Sequence, residues 1–215
     1  MHLSHNKIGT LVATPVALLC LAGAANAQAV MYNDSASFLA NLAPGFYLEN
    51  FNTVVGTSSS KFFTGNGFSY TVSAPGNLIP VNGAISTVNK NDSISIVFSG
   101  APVSAIGGNF FDTNLSGNYI LGGITVHLSD GTNSTFAPTS ASQFEGFTTA
   151  TGSIMSLSIQ AIQTSVDTFP TLDNFYVGGF SGAPQGGTVP EPGSLAQLAG
   201  FGIVGVGFAL KRRKK

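Results

Sequence analysis

Short runs in which apolar and polar residues alternate extend over most of this chain, and they predict strands. Leu157 and Ile159, for example, flank Ser158, and Ile94 and Ile96 flank Ser95. An alternation with period two indicates a strand that buries one face and leaves the other in water. The predicted strands are residues 46–51, 68–73, 93–99, 103–111, 119–128, 144–149, 154–162 and 172–177.

Turn-forming residues separate these runs. Asp130-Gly131 is a strong turn signal between residues 125–128 and 134–136. Helical segments do not alternate with the strands, so a parallel α/β sheet is not expected. The pattern predicts a mainly β fold, an antiparallel β-sandwich or jelly roll with one short N-terminal helix.

That helix is expected over residues 34–42. Asp34 is suited to cap its N-terminus, and Phe38, Leu39 and Leu42 form an apolar stripe at helical spacing. Pro44, followed by glycine, ends the helix.

Residues 1–27 have the pattern of a secretory signal peptide. Lys7 precedes a mostly apolar segment, and an A-x-A site at 25–27 predicts cleavage between Ala27 and Gln28. A lipoprotein signal and a retained N-terminal anchor are the alternatives, although Leu19 before Cys20 does not suit lipidation. Cys20 is the only cysteine, so the mature chain is expected to fold without disulfides.

The C-terminus combines a short motif, an apolar run and a basic end. Residues 193–210 carry no charge, and as a helix they would extend about 27 Å, enough to cross a bilayer core. We therefore predict a transmembrane helix with its end in the cytoplasm; a buried helix of a soluble domain is the alternative. The basic stop signal consists of Lys211, Arg212, Arg213, Lys214 and Lys215.

Pro190-Glu191-Pro192, followed by the apolar run and the basic end, resembles the PEP-CTERM sorting signal of Gram-negative bacteria. The resemblance implies that an exosortase, a membrane protease-transpeptidase, recognises the Pro-Glu-Pro segment and processes the tail. It further implies a transient inner-membrane intermediate, delivery to the cell surface or extracellular matrix, and association with exopolysaccharide, as in a biofilm. The expected organisation is a signal peptide at 1–27, a β-sandwich domain at 28–181, a flexible linker at 182–188 and the sorting signal at 189–215.

The charge of the central region narrows the range of partners. Residues 28–182 contain eight acidic residues but only Lys61 and Lys90, a net charge of −6. Nucleic-acid binding depends on Lys and Arg and is not expected. Cations and neutral polymers such as polysaccharide remain compatible.

Residues 112–117 resemble the opening of a calcium-binding loop. Asp112, Asn114 and Ser116 have the alternate spacing of oxygen ligands, and Gly117 stands at the sharp turn. The acid expected six residues later is absent, because Gly123 is there. A plain β-turn is the alternative, and the segment also fits the D-x-N-x-S sequon for bacterial N-glycosylation.

Glu49 and Asp173 form a second candidate for structural Ca²⁺. They lie in the similar segments 48–51 and 172–175, near the two ends of the domain. The first and last strands of many extracellular jelly rolls are neighbours, so the two acids are expected to lie close together. The alternative is a pair of edge-strand acids facing solvent.

Catalytic residues are sparse. His127 is the only histidine after residue 27, and it lies in a strand pattern without a nucleophile elbow. We therefore expect a non-catalytic matrix protein. A calcium-supported carbohydrate-binding module is the second possibility, and a two-carboxylate polysaccharide hydrolase is the third. Possible aromatic platforms for a sugar are Tyr32, Tyr47, Tyr70, Tyr119 and Tyr176.

Overall fold

The computed structural model describes residues 28–163 and 166–182, which contain one short helix and thirteen strands. The helix α1 spans Ser35–Ala40. The strands are β1 (Val30–Tyr32), β2 (Tyr47–Glu49), β3 (Ser58–Gly65), β4 (Phe68–Val81), β5 (Ala84–Thr87), β6 (Ile94–Gly100), β7 (Ala105–Thr113), β8 (Tyr119–Ile120), β9 (Gly123–Leu128), β10 (Asn133–Phe136), β11 (Phe144–Thr148), β12 (Ser156–Ile162) and β13 (Phe169–Gly178).

The strands of these residues form one antiparallel sheet, curled into a half-barrel. Its front half has the order β3-β4-β6-β12-β9-β10. Its back half has the order β1-β11-β7-β13-β5, with β2 on β13 and β8 on β7. The long strand β4 belongs to both, because its first part pairs with β6 and its last part pairs with β5. The curl brings β12 against β7 and β13 without hydrogen-bonded pairing.

The main core fills the interior of the curl. Alternate residues of both halves point inward, and Ile96, Ile159, Phe110 and Phe175 are fully buried there. Tyr70 lies at the centre of an aromatic group, with its ring 5.4 Å from those of Phe63 and Phe175. Burial of these large apolar side chains is the main source of stability in a domain without disulfides.

Helix α1 covers part of the outer side of the back half. The carboxylate of Asp34 accepts a 2.8 Å hydrogen bond from the amide of Ser37, which caps the helix as predicted. Phe38 is fully buried beneath the helix, 5.3 Å from Phe144 between ring centroids. A β-carbon at position 146 would lie 2.6 Å from the Phe38 ring, so Gly146 makes room for it.

The mainly β, antiparallel prediction is confirmed, and so is the turn at Asp130-Gly131. Gly131 has a positive φ of 90°, and the amide of Thr132 donates to the Asp130 carboxylate at 2.8 Å. The turn joins β9 to β10 with His127 opposite Asn133. The curled sheet is sandwich-like, since its two halves enclose one core.

Several predicted strand boundaries were wrong. The predicted strand 119–128 is two strands, because the chain crosses at residues 121–122 from the back half to the front half. Strand β4 continues past Pro75, where its register against β3 shifts. Strand β3 was missed because it begins with three serines, and β5 because all four of its residues are buried and show no alternation.

Three predicted segments lie outside the described residues: the signal peptide at 1–27, residues 183–188 of the linker and the sorting signal at 189–215. The one helix of residues 28–163 and 166–182, α1, is far shorter than a membrane span requires. The predicted transmembrane helix at 193–210 lies outside the described residues and stays a prediction.

Candidate functional site

Asp112 is a buried carboxyl near the end of β7. Its side chain is fully buried, and neither carboxylate oxygen has a hydrogen-bond partner among the described residues. Alternation places it on the same side of β7 as the core residue Phe110. It packs where the chain crosses from β8 to β9, against Gly122. Burial raises the pKa of Asp112 to about 7.

The other residues of the predicted calcium loop form a tight turn. The side-chain oxygen of Asn114 accepts from the amides of Ser116 and Asn118, at 3.0 and 3.1 Å. Gly117 has a positive φ of 75°, as its place at the sharp turn requires. Ser116 is exposed, whereas Asp112 is buried. The three predicted ligands thus have different surroundings, and calcium binding here stays a prediction.

Glu49 and Asp173 lie on neighbouring strands, as expected, because β2 pairs with β13. Glu49 accepts from the hydroxyl of Tyr47 at 2.5 Å and from the amide of Phe51 at 2.8 Å. It lies opposite the core residue Phe175, whereas Asp173 lies opposite Asn109, on the outer side of the back half. A bulge in β13 separates the two positions. The two carboxylates therefore have separate partners, and a shared ion stays a prediction.

Asp173 lines a cavity of about 210 Å³ on the outer side of the back half, together with Asn82, Asn118 and Tyr119. Its two oxygens accept from the backbone amide and the side-chain amide of Asn174, at 2.7 and 3.0 Å. Burial raises the pKa of Asp173, and the bond from the Asn174 backbone partly offsets this. A half-buried carboxyl in a cavity lined by both polar and apolar side chains can accept hydrogen bonds from a small polar ligand.

The Asn174 side chain also ties this cavity to β7. It donates to the side-chain oxygen of Asn109 at 2.9 Å, and Asn109 donates to the carbonyls of Ser142 and Gln143. Asn174 has a φ of 47°, in the left-handed region that asparagine tolerates. This network was not apparent from the sequence, because Asn109 is 33 and 34 residues from Ser142 and Gln143 and 65 residues from Asn174.

Glu145 is a second buried carboxyl that sequence reasoning did not single out. It is 6% exposed, and its carboxyl group forms no hydrogen bond within the described residues. Burial raises the pKa of Glu145 to about 7. It lies opposite Gly108 and shares the inward side of β11 with Phe147. Phe144 and Phe147 lie on either side of Glu145 along β11 and point to opposite faces of the sheet. A strand with a phenylalanine on each face is expected to be buried on both, and this was the available signal that Glu145 is buried.

The tyrosines predicted as platforms are partly or fully buried. Tyr70 is in the main core, and Tyr119 donates its hydroxyl to the carbonyl of Pro138 at 2.7 Å. Tyr176 packs against Phe38 and Phe144, while Tyr32 and Tyr47 are half-buried. Among the described residues the exposed aromatic side chain is instead Phe62, in β3.

His127 is exposed on the outer side of β9. Across residues 28–163 and 166–182, no three side chains of the types His, Cys, Asp and Glu gather as a possible metal site. A Ca²⁺ site there would therefore have to include amide, hydroxyl or backbone oxygens.

The family resemblance of the chain lies in its C-terminal tail. Residues 188–214 match the PEP-CTERM protein-sorting motif. The match confirms the resemblance carried by Pro190-Glu191-Pro192, and the motif implies export toward the cell surface and processing by an exosortase-type membrane enzyme. No curated protein matches the chain.

Proposed function

We propose that this protein is exported, processed at its PEP-CTERM signal and held at the cell surface, where its β domain is a non-catalytic component of an exopolysaccharide matrix. The observation that carries the proposal is the sorting motif at residues 188–214. Because the motif follows the last described strand, the proposal has the whole β domain outside the membrane while the tail is processed. The predicted signal peptide at 1–27 supplies the entry into the export route.

The composition of the domain is consistent with a hydrated polymer as its environment. Its net charge of −6 opposes binding to other polyanions. The outward residues of the front half are mostly serine and threonine, which are compatible with water and with the hydroxyls of a neutral glycan.

The positions of the buried acids favour a non-catalytic role. Hydrolysis of a glycosidic bond by the usual route needs two carboxyl groups that flank one bond. Asp173 faces the outer cavity, whereas Asp112 and Glu145 point toward the interior. A polysaccharide hydrolase would need a second carboxyl beside Asp173. Hydrolysis of a polysaccharide panel by the purified protein, abolished by Asp173→Asn, would overturn this part of the proposal.

Replacement of the sorting motif tests the route. With alanines at Pro190, Glu191 and Pro192, we expect an unprocessed form that stays with the membrane fraction in cells with an exosortase. A matched control changes residues 185–187 to alanine, just outside the matched motif, and should be processed normally. If the motif variant reached the surface at the normal mature size, the proposal would be wrong.

A second candidate is a carbohydrate-binding module supported by Ca²⁺, and one observation favours it. The two oxygens of Asp112 are buried without a partner, and a bound cation would compensate the cost of a charge there. Asn114 is already engaged by backbone amides, so the ion would draw its other ligands from elsewhere around Asp112.

Thermal unfolding with calcium or a chelator tests this candidate. If Asp112 holds Ca²⁺, calcium raises the melting temperature, and Asp112→Asn removes the effect. An ion held by Glu49 and Asp173 would instead lose its effect in Asp173→Asn. An unchanged melting temperature in both solutions would exclude both sites.

A further inference from the structure

The two halves of the sheet differ in what covers their outer sides. On the back half, α1 buries Phe38, and Tyr119 and Ala141 border the cavity beside Phe111. On the front half, residues that point away from the core are exposed or half-exposed in every strand, from β3 to β10. We call this outward side of the six strands the front face.

Polar side chains form a straight row across the front face. The strand register aligns one residue from each strand, so the row crosses six strands. At the usual strand spacing it is about 24 Å long, room for several sugar rings. In order the row is Ser60, Ser73, Ser95, Ser158, His127 and Asn133.

Most of these groups are available to a ligand. Ser73 donates to the carbonyl of Ser95 at 3.5 Å, whereas the other five side chains form no hydrogen bond within the described part of the chain. Each can donate, and each has an accepting atom. They stand on a hydrogen-bonded sheet, so the protein would lose little conformational freedom when it binds a ligand.

A second row beside the first adds apolar surface. Phe62, Thr71, Val97 and Ser156 are aligned across four strands. Phe62 is 63% exposed and Val97 is 54% exposed, although both lie among hydroxyl side chains. The register places them two strands apart, about 10 Å, with only Thr71 between them. Phe62 and Phe63 are consecutive, so one of them had to point away from the core.

The front face is also concave at its centre. Ser95, Val97, His127, Ser156 and Ser158 line an open depression of about 340 Å³. The depression joins the polar row to the apolar row, so a ligand in it would meet hydroxyls and a methyl surface together. A sugar ring has the matching character, because its rim carries hydroxyls and its faces carry C–H groups.

Charge selects the class of polysaccharide. None of the outward residues of the six strands is Asp, Glu, Lys or Arg. An anionic polymer would find no cation on this face and would be repelled by the acidic domain. We infer that the front face binds a neutral polysaccharide, which lies across the strands in the depression and against Phe62.

This inference extends the proposed function, and its test does not depend on sorting. The full-length chain, purified in detergent micelles, is applied to beads that carry dextran, alginate or the neutral polysaccharide fraction of the producing cells. Bound protein is measured against protein concentration. Failure of sorting would leave this binding intact, and failure of binding would leave the processing of the tail intact.

We expect saturable binding to a neutral polymer and no saturable binding to alginate. Phe62→Ser should weaken binding by at least about fivefold, as expected for the loss of a well-packed aromatic contact. The double variant Ser95→Ala/Ser158→Ala should also weaken it. The matched control is Leu115→Ser, which changes an exposed apolar residue in a loop of the back half and should bind like the wild type.

Three results would overturn the inference. The first is no saturable binding to either neutral polymer. The second is equal binding by the wild type, Phe62→Ser and the double serine variant. The third is concentration-dependent self-association that Phe62→Ser abolishes, which would make the front face a contact between copies of the chain.

Discussion

The Oδ2 atom of Asp112 lies 2.0 Å from the point that a β-carbon at Gly122 would occupy. The buried carboxyl thus fills the space that a side chain at residue 122 would need. Gly122 lies between β8 and β9, where the chain crosses between the halves of the sheet. The crossing and the burial of Asp112 therefore depend on each other.

Gly122→Ala should destabilise the domain by about 1–3 kcal/mol, because the new methyl group overlaps a buried carboxyl that cannot move freely. Denaturant unfolding measures the loss. Gly179→Ala is the matched control, since its β-carbon would meet its nearest neighbour at 3.6 Å, an ordinary contact. If Gly122→Ala were as stable as Gly179→Ala, the placement of Asp112 would be wrong.

The stability of the domain should fall as the pH rises from about 4 to about 7. Burial raises the pKa of Asp112 and Glu145 to about 7, against ordinary values of 3.8 and 4.5. In that range the unfolded state releases protons that the folded state keeps, so ionisation favours unfolding. Each group should lower the unfolding free energy by on the order of 1 kcal/mol per pH unit.

Asp112→Asn and Glu145→Gln separate the two contributions to this pH dependence. Each variant should have a smaller pH slope than the wild type and should be relatively more stable at pH 8 than at pH 4. Urea unfolding at a series of pH values gives the slopes. Unchanged slopes in both variants would show that neither carboxyl is held neutral by burial.

Two phenylalanines should respond in opposite ways to truncation. Phe38→Ala should cost about 3–5 kcal/mol, because the fully buried ring packs between α1 and the back half. Phe62→Ala should change stability by less than about 0.5 kcal/mol, because that ring is exposed. Thermal unfolding of both variants checks this. A large loss in Phe62→Ala would mean that the ring supports the fold and is not available to a ligand.

The sequence was most informative where local chemistry decides the structure. Asp34 caps α1, Phe38 is buried under it and Asp130-Gly131 makes the predicted turn. Each of these features depends on a few consecutive residues. The match of residues 188–214 to the sorting motif is a local feature of the same kind.

The sequence was less informative where distant residues meet. The polar row of the front face depends on the register of six strands, which residue patterns alone do not give. The environment of Asp112 depends on Gly122, and that of Asp173 depends on a bulge in β13. Strand β3 was not predicted because it begins with three serines and because the consecutive Phe62 and Phe63 break the alternation of apolar and polar residues.

The intact mass of the protein recovered from the cell surface tests the proposed route most directly. We predict a chain that begins at Gln28 and lacks the apolar and basic residues 195–215. In cells without the exosortase, the same chain should keep those residues and remain with the membrane fraction. A surface protein that still carried residues 195–215, or that lost them equally without the exosortase, would contradict the account.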